Sequence, residues 1–560
     1  MMDNQQTFEQ LSQQVVREFL STVVVVDDQA QLGATDASVA PHVVRAPGRQ
    51  GADAAPDKEP LPDGTDRAHL LKAKPLIDSF ASIGIVCAVL RPSDQEIEDF
   101  DRVLPPVAES CDVIVIDWVL YEFKQGEKTL EIIQHLLQPE RPDSGRARLI
   151  IIYTGEKDLQ GITSSVRHAF NLPEQDGAAD PFTIHYGAAQ ICIYAKEETQ
   201  LLEVDKHRKI GFDKLPETVV IEFSRMTSGL ISNVALRSLA ALRSNTHQLL
   251  RKFHRELDPP YVTHSTLLGN EEAADHLIPL IVSEIQAVLE DRGVGDLANR
   301  HRILQWLRQQ RTRGLVFELP QHVKEEEYWA GLTFLVEHGV SDNSLTDLFE
   351  RHKKFAIGVL KNKDKDKAKS ALCDCLTKIV TVQADRPNVT DHELASLMSV
   401  RSHYSSPTPA LTLGSIVLEI AGGQQQYLLC VQPRCDSVRL KGERGFPFLP
   451  MKAVSENERC DFMIEDNGSV LRLVLSRDPF KVKMVKFAPA GAHEDQILAH
   501  NRKGARVFRA SGKIKNYRWV AELKTAHAQR VANQYAYQLS RVGLTESEWH
   551  RVRWLPRGDN

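Results

Sequence analysis

The stretch STVVVVDDQA, residues 21–30, sets four consecutive valines against two adjacent aspartates. A run of β-branched residues predicts a strand buried on both faces, as in a parallel sheet. Carboxylates at the end of such a strand are costly unless something positive compensates them. Two questions follow: which sheet the strand joins, and what answers Asp27 and Asp28.

Working outward, TFEQLSQQVVREFL (7–20) puts Phe8, Leu11, Val15, Val16 and Phe19 on one helical stripe. Residues 32–66 are rich in Ala, Gly, Pro and Asp without periodicity, which reads as a flexible insertion. A regular rhythm then begins. Helical spacing in HLLKAKPLIDSFASIG leads to the strand IVCAVL, and SDQEIEDFDRVLPPVAES leads to DVIVIDWVL. The helix EKTLEIIQHLLQ precedes RLIIIYTGE, and GITSSVRHAFNL precedes QICIYAKEE. Five apolar strands alternating with helices predict an α/β doubly wound, five-stranded parallel sheet over residues 21–205, with residues 1–20 as a leading helix.

In such a sheet ligands bind outside the carboxyl ends of the strands. Those ends carry Asp27, Asp28, Asp117, Thr154 and Lys196. Clustered carboxylates with oxygen-only chemistry suit Mg²⁺, which also relieves their mutual repulsion.

At these positions residues 20–200 resemble the phospho-receiver domain of two-component response regulators. Asp27 and Asp28 match the family's acidic pair, and Asp117 in VIDWVL matches its phospho-acceptor, with Leu120 three positions on. Thr154, followed by Gly155, matches the switch hydroxyl, and Lys196 the lysine of the fifth strand. GEKTLEIIQHLL looks like the glycine-containing loop that enters the third helix. The resemblance implies Mg²⁺ held by Asp27, Asp28 and Asp117, phosphorylation of Asp117, and a sensor histidine kinase or histidine-kinase-like ATPase as phosphodonor. It implies no enzyme beyond slow self-dephosphorylation. Two departures stand out: Glu197 follows Lys196 where the family has proline, and Tyr194 lies two before Lys196 with Ile193 in the expected aromatic position.

Beyond the sheet, residues 216–385 read as helical, and residues 386–560 as a β-rich, small barrel-like module with C-terminal helices. In the latter, GSIVLEI, QYLLCVQP, CDFMIED, SVLRLVLS and KVKMVKFAP have strand character, and Asn467-Gly468 signals a hairpin. From Val470 onward there are 18 Lys and Arg against 7 Asp and Glu, although the whole chain carries −6. Arg502, Lys503, Arg506, Arg509, Lys513, Lys515 and Arg518 interleave with Phe508, Tyr517 and Trp519, a pattern that suits DNA or RNA. The competing reading is a basic surface that docks on an acidic one.

Other candidates carry less. His247 sits on a helix, where a lone histidine is ordinarily a surface or packing residue. Cys373-x-Cys375 and Cys430-x4-Cys435 lack the spacing of common zinc modules. A Cys435-Asp436 dipeptide is explained by a strand-end turn as well as by catalysis. No apolar run approaches the length of a membrane span, eight scattered cysteines do not make a disulfide framework, and the polar stretch MMDNQQTFEQLSQQ is not expected to act as a signal peptide, so a cytoplasmic protein is expected. The whole reads as a phosphorylation-dependent signalling protein with a C-terminal output, able to form a homodimer, and by analogy suited to bacterial defence or stress. The alternative is a non-phosphorylated scaffold or a nucleic-acid-binding protein with a degenerate receiver.

Overall fold

The computed structural model describes residues 6–31, 71–92, 97–120, 126–137, 147–173, 180–227, 229–268, 270–312, 322–360, 372, 390–403, 408–421, 424–455, 458–490, 495–512 and 515–540. The insertion at 32–66, Cys373, Cys375, Lys513 and residues 541–560 lie outside them. The chain divides into two compact units, Met1–Leu315 with Leu319–Ser370, and Val316–Glu318 with Ala371–Asn560. No helix among the described residues is long and apolar enough to cross a membrane.

In the first unit, α1 (Phe8–Phe19) starts at a Thr7/Gln10 capping box and buries Phe8, Leu11, Val15 and Val16. It feeds β1 (Thr22–Val26), whose four valines are fully buried. Two-residue strands β2 (Ala30–Gln31) and β3 (Leu71–Lys72) then pair with each other. α2 (Ala73–Ser82) leads to β4 (Val86–Leu90), and α3 (Ile97–Ser110) to β5 (Val113–Ile116). α4 (Glu127–Leu137) leads to β6 (Arg148–Thr154), and α5 (Leu159–Ala169) to a hairpin of β7 (Thr183–Tyr186) and β8 (Ala189–Lys196). After β9 (Lys209–Ile210) come α6 (Leu215–Thr227) and α7 (Leu230–Ser244).

The strand order is β4-β1-β5-β6-β8-β7, with β9 also on β8. The five strands expected from the sequence form its parallel core. Two strands were not expected: β7 runs antiparallel to β8 through a turn at Gly187 (φ 55°), and β9 pairs with Ala195 and Lys196. Both are too short to show a periodicity of their own. Together they line the outer edge of the strand that carries Lys196.

Alternation within the strands supplies two cores. One face of the sheet, with Ile114, Ile116, Ile150, Ile152 and Ile193, packs on α3, α4 and α5. The other, with Val23, Val25, Val115, Ile151 and Tyr194, packs on α1, α2, α6 and α7. Because Leu215, Val219, Val220, Phe223 and Leu236 belong to that second core, the sheet's unit runs on past residue 205. The described residues from 246 to 360 add further helices, among them Asp258–Leu268, Asn270–Asp291 and Arg300–Thr312.

The second unit is an antiparallel sheet. Its strands are β10 (Ser415–Ala421), β11 (Gln424–Cys430), β12 (Arg444–Val454), β13 (Phe462–Asp466), β14 (Ser469–Leu475), β15 (Lys483–Phe487), β16 (His500–Arg502), β17 (Ala505–Arg509) and β18 (Asn516–Glu522). Asn467 and Gly468 both take positive φ, 53° and 74°, and turn β13 into β14. The order is β13-β14-β12-β11-β10-β18-β17-β16, with β15 on the first half of β12. A bridge from Phe487 to Ala510 joins the end of β15 to the end of β17, so the pairing path returns on itself. Phe446, Phe448, Phe487, Phe508 and Tyr517 fill the enclosed core. Helix Thr525–Leu539 lends Ala528 and Val531 to a second core on Leu418, Leu429 and Leu473.

Candidate functional site

The parallel core sets three chain positions side by side. Asp27 follows β1, its N–H bonded to the Leu90 carbonyl, and Asp117 follows β5, its N–H bonded to the Val26 carbonyl. Lys196 ends β8 on the same face as Cys192 and Tyr194. Its ammonium donates to Asp27 Oδ2 at 2.7 Å and to Asp117 Oδ2 at 2.5 Å. All three side chains are at least nine-tenths buried.

This trio answers the opening question of compensation: the cation facing the valine strand's carboxylate is Lys196. Burial opposes the ammonium, but Asp117 and Asp27 outweigh it and raise its pKa above the ordinary lysine value. Burial raises the Asp27 carboxyl from 3.8 to about 6; Lys196 pulls it down and Asp117 pushes it up. Two carboxylates sharing one ammonium at low exposure form a costly arrangement, which proteins keep where it does something besides stabilise.

The surrounding loops hold the carboxylates in place. Asp27 Oδ1 accepts the Gln29 N–H at 2.9 Å, and Asp117 Oδ1 accepts the Val119 N–H at 3.3 Å. Thr129, in the first turn of α4, donates to the carbonyls of Asp117 (2.8 Å) and Trp118 (3.1 Å). Gly126 sits at φ 76°, and a Cβ there would lie 2.0 Å from the Trp118 ring. Only glycine permits that approach, so the loop and indole pack as one piece. Sequence reasoning missed Thr129, whose only signal was its place two residues into the helix.

The remaining candidates are arranged differently. Asp28 is half-buried, and its carbonyl accepts the Arg91 guanidinium at 3.0 Å. Thr154 ends β6 fully buried, with its hydroxyl accepting the Glu156 N–H at 3.1 Å. Among the described residues no group of three or more His, Cys, Asp or Glu is gathered for a metal ion. The ammonium of Lys196 bridges Asp27 and Asp117 instead. The carboxylate oxygens of Asp27, Asp28 and Asp117 nonetheless have the hard-donor chemistry Mg²⁺ takes.

Tyr194 is absorbed into a second buried network. Its hydroxyl donates to Glu222 Oε1 of α6 at 2.7 Å, while Gln190 donates to Glu222 Oε2 at 3.1 Å. Arg225 also bonds Glu222, at 2.7 Å, and Arg208 lies over the Tyr194 ring at 4.8 Å while pairing with Asp180. Glu222 falls three residues after Val219, within the buried stripe of its helix; that position was its sequence signal.

In the second unit the basic–aromatic pattern resolves into strand alternation. Phe508 and Tyr517 point into the core, so neither offers a stacking surface. Arg518 makes two bonds of 2.6 Å to Asp466, which also accepts Tyr427 at 3.0 Å. Lys515 and Lys483 pair with the buried Glu419. Arg502, Lys503 and Arg509 are exposed and Arg506 half-buried. His247 is exposed on its helix. Cys430 is fully buried, its thiol pushed up to about 12 by burial, whereas Cys435 is exposed; the pair shares no environment.

Comparison with known families agrees with this geometry: residues 19–201 match the response receiver domain, and this part of the chain is a response receiver domain. The match covers the whole parallel core and ends before α6. Searches of curated proteins and of solved structures return no match.

Proposed function

We propose that the chain is a phosphorylation-dependent signalling protein in which Asp117 accepts a phosphoryl group. The supporting observation is the Lys196 ammonium held 2.5 Å from Asp117 and 2.7 Å from Asp27 at the carboxyl edge of a receiver sheet. An Asp117 oxygen attacks the phosphorus of a phosphohistidine on a histidine-kinase-type donor. The P–N bond breaks, its electron pair stays on the imidazole, and an acyl phosphate forms. Bound through Asp27, Asp28 and Asp117, Mg²⁺ supplies charge neutralisation for the incoming group. Lys196 then pairs with a phosphoryl oxygen in place of the carboxylate, and the Thr154 hydroxyl gives up the Glu156 N–H to donate to the phosphoryl group. The second unit is the output, and no catalytic turnover is assigned to it. A cytoplasmic setting in bacterial defence or stress rests on analogy of architecture alone.

Incubating the full chain with acetyl phosphate and Mg²⁺ tests this reading. Acid-labile phosphate should appear in the wild type and be absent from Asp117→Asn. Failure of the wild type to take up phosphate or bind BeF₃⁻ would leave a scaffold with a degenerate receiver. DNA or RNA binding by the output has a narrower basis, the exposed cations Arg502, Lys503 and Arg509.

A further inference from the structure

Two kinds of contact fix Asp117. Its carboxylate is held by bonds that an incoming group must disturb: Oδ2 takes the Lys196 ammonium and Oδ1 the Val119 N–H. Its main chain is held by bonds that phosphoryl transfer leaves alone. The N–H donates to the Val26 carbonyl at 2.9 Å, and the Asp117 carbonyl accepts the Thr129 hydroxyl at 2.8 Å. That hydroxyl shares its single proton with the Trp118 carbonyl at 3.1 Å. Asp117 and Trp118 are buried beyond the end of β5, and among the described residues no backbone N–H takes either carbonyl. A buried carbonyl without a partner is costly, so the Thr129 hydroxyl supplies what the sheet does not.

The donor is itself firmly placed. Thr129 is fully buried in the first turn of α4, and its β-branched side chain has few rotamers in a helix. Such a hydroxyl ordinarily turns back on a carbonyl of the preceding turn. Here it reaches across the loop to residues 117 and 118 instead. Ile132 and Ile133 of the same helix share a core with Ile114 and Ile116 of β5, which fixes the hydroxyl relative to the strand. An attacking oxygen must meet phosphorus in line, and a misplacement of about 1 Å can cost about 100-fold in rate. We propose that Thr129 is a positioning residue for phosphoryl transfer, its hydroxyl setting the direction in which the Asp117 carboxylate leaves the main chain. The proposal rests on Asp117 being the acceptor.

The time course of acid-labile phosphate on the full chain, with acetyl phosphate and Mg²⁺, tests this. In that reaction Asp117 gains the phosphoryl group, the donor P–O bond breaks and acetate leaves with its electron pair. Thr129→Val keeps the shape of the side chain and removes the hydroxyl. Its limiting rate should fall by about 10-fold or more. The half-saturating donor concentration should stay unchanged, because the buried Thr129 side chain does not meet the donor. Thr129→Ser keeps the hydroxyl and should keep most of the wild-type rate. If Thr129→Val loses the wild-type circular dichroism, Thr129→Ala is measured in its place. A hydroxyl-free variant that labels at the wild-type rate, or Thr129→Ser slowed as much as that variant, overturns the proposal and leaves Asp117 as the acceptor. A wild type that takes up no phosphate overturns both.

Discussion

The Tyr194 hydroxyl and the Glu222 carboxylate meet at 2.7 Å in the core between β8 and α6, two residues before Lys196 on the same strand face. Glu222 is 1% exposed and also takes bonds from Gln190 and Arg225. The helix just outside the matched receiver segment is thereby fastened to the strand that ends in Lys196. Tyr194→Phe removes one of these bonds and should cost about 1 kcal/mol in urea unfolding. Glu222→Ala strands several buried donors and should cost about 3 kcal/mol or more.

Lys196→Met leaves Asp27 and Asp117 adjacent and buried without their shared cation. Unfolding at neutral pH should show a loss of about 3–5 kcal/mol. Because protonating either carboxylate relieves the repulsion, that deficit should shrink on acidification. A deficit equal at pH 5 and pH 8 would contradict the shared-cation arrangement.

The raised Asp27 pKa fixes the sign of a pH effect. A carboxyl whose folded pKa, about 6, lies above its unfolded value of 3.8 binds more protons in the folded state. Its contribution favours folding fully below pH 3.8 and is lost as pH rises through about 6. Asp27→Asn should flatten the stability slope between those values, as read from denaturant midpoints across pH. An unchanged slope would assign it to other groups.

Gly126→Ala forces an L residue into φ 76° and drives its Cβ into the Trp118 ring. We expect a loss of about 1–3 kcal/mol and altered tryptophan emission. If Asp117 phosphorylation falls with it, the loop acts by positioning the carboxylate.

In the second unit, Arg518→Ala should destabilise by about 1–3 kcal/mol, because Asp466 loses a bidentate partner. Arg502→Ala/Lys503→Ala/Arg509→Ala should leave stability within about 0.5 kcal/mol of wild type. If the second unit binds nucleic acid, the triple variant should lose affinity and lower its salt dependence, as read by fluorescence anisotropy. Salt-independent binding, or binding unchanged in the triple variant, would assign the contact elsewhere.

The strand-end residues were legible because valine and isoleucine runs mark buried parallel strands whose final positions topology then brings together. Asp27, Asp117 and Lys196 follow from that alone. What stayed hidden depended on tertiary contact. The four-residue β7 is too short for alternation to register, and Gly126 reads as an ordinary loop glycine until the Trp118 ring is seen against it. Phe508 and Tyr517 looked like stacking platforms because linear order does not say which side of a strand faces a core. Asp466, the partner of Arg518, lies 52 residues away in the chain.

The ion-paired trio also sets an order of events in folding. Lys196 and Asp27 are 169 residues apart, and Lys196 and Asp117 are 79 apart. Both carboxylates precede in the chain the lysine that neutralises them, and without β8 they would stand together unmatched at the sheet's edge. Docking of β8 is then drawn electrostatically to its slot as well as by burial, a non-local step that pays its loop-closure cost late. Seating β8 in the sheet and closing the Asp27–Lys196–Asp117 trio are therefore one step, since the same strand supplies both the backbone pairing and the cation.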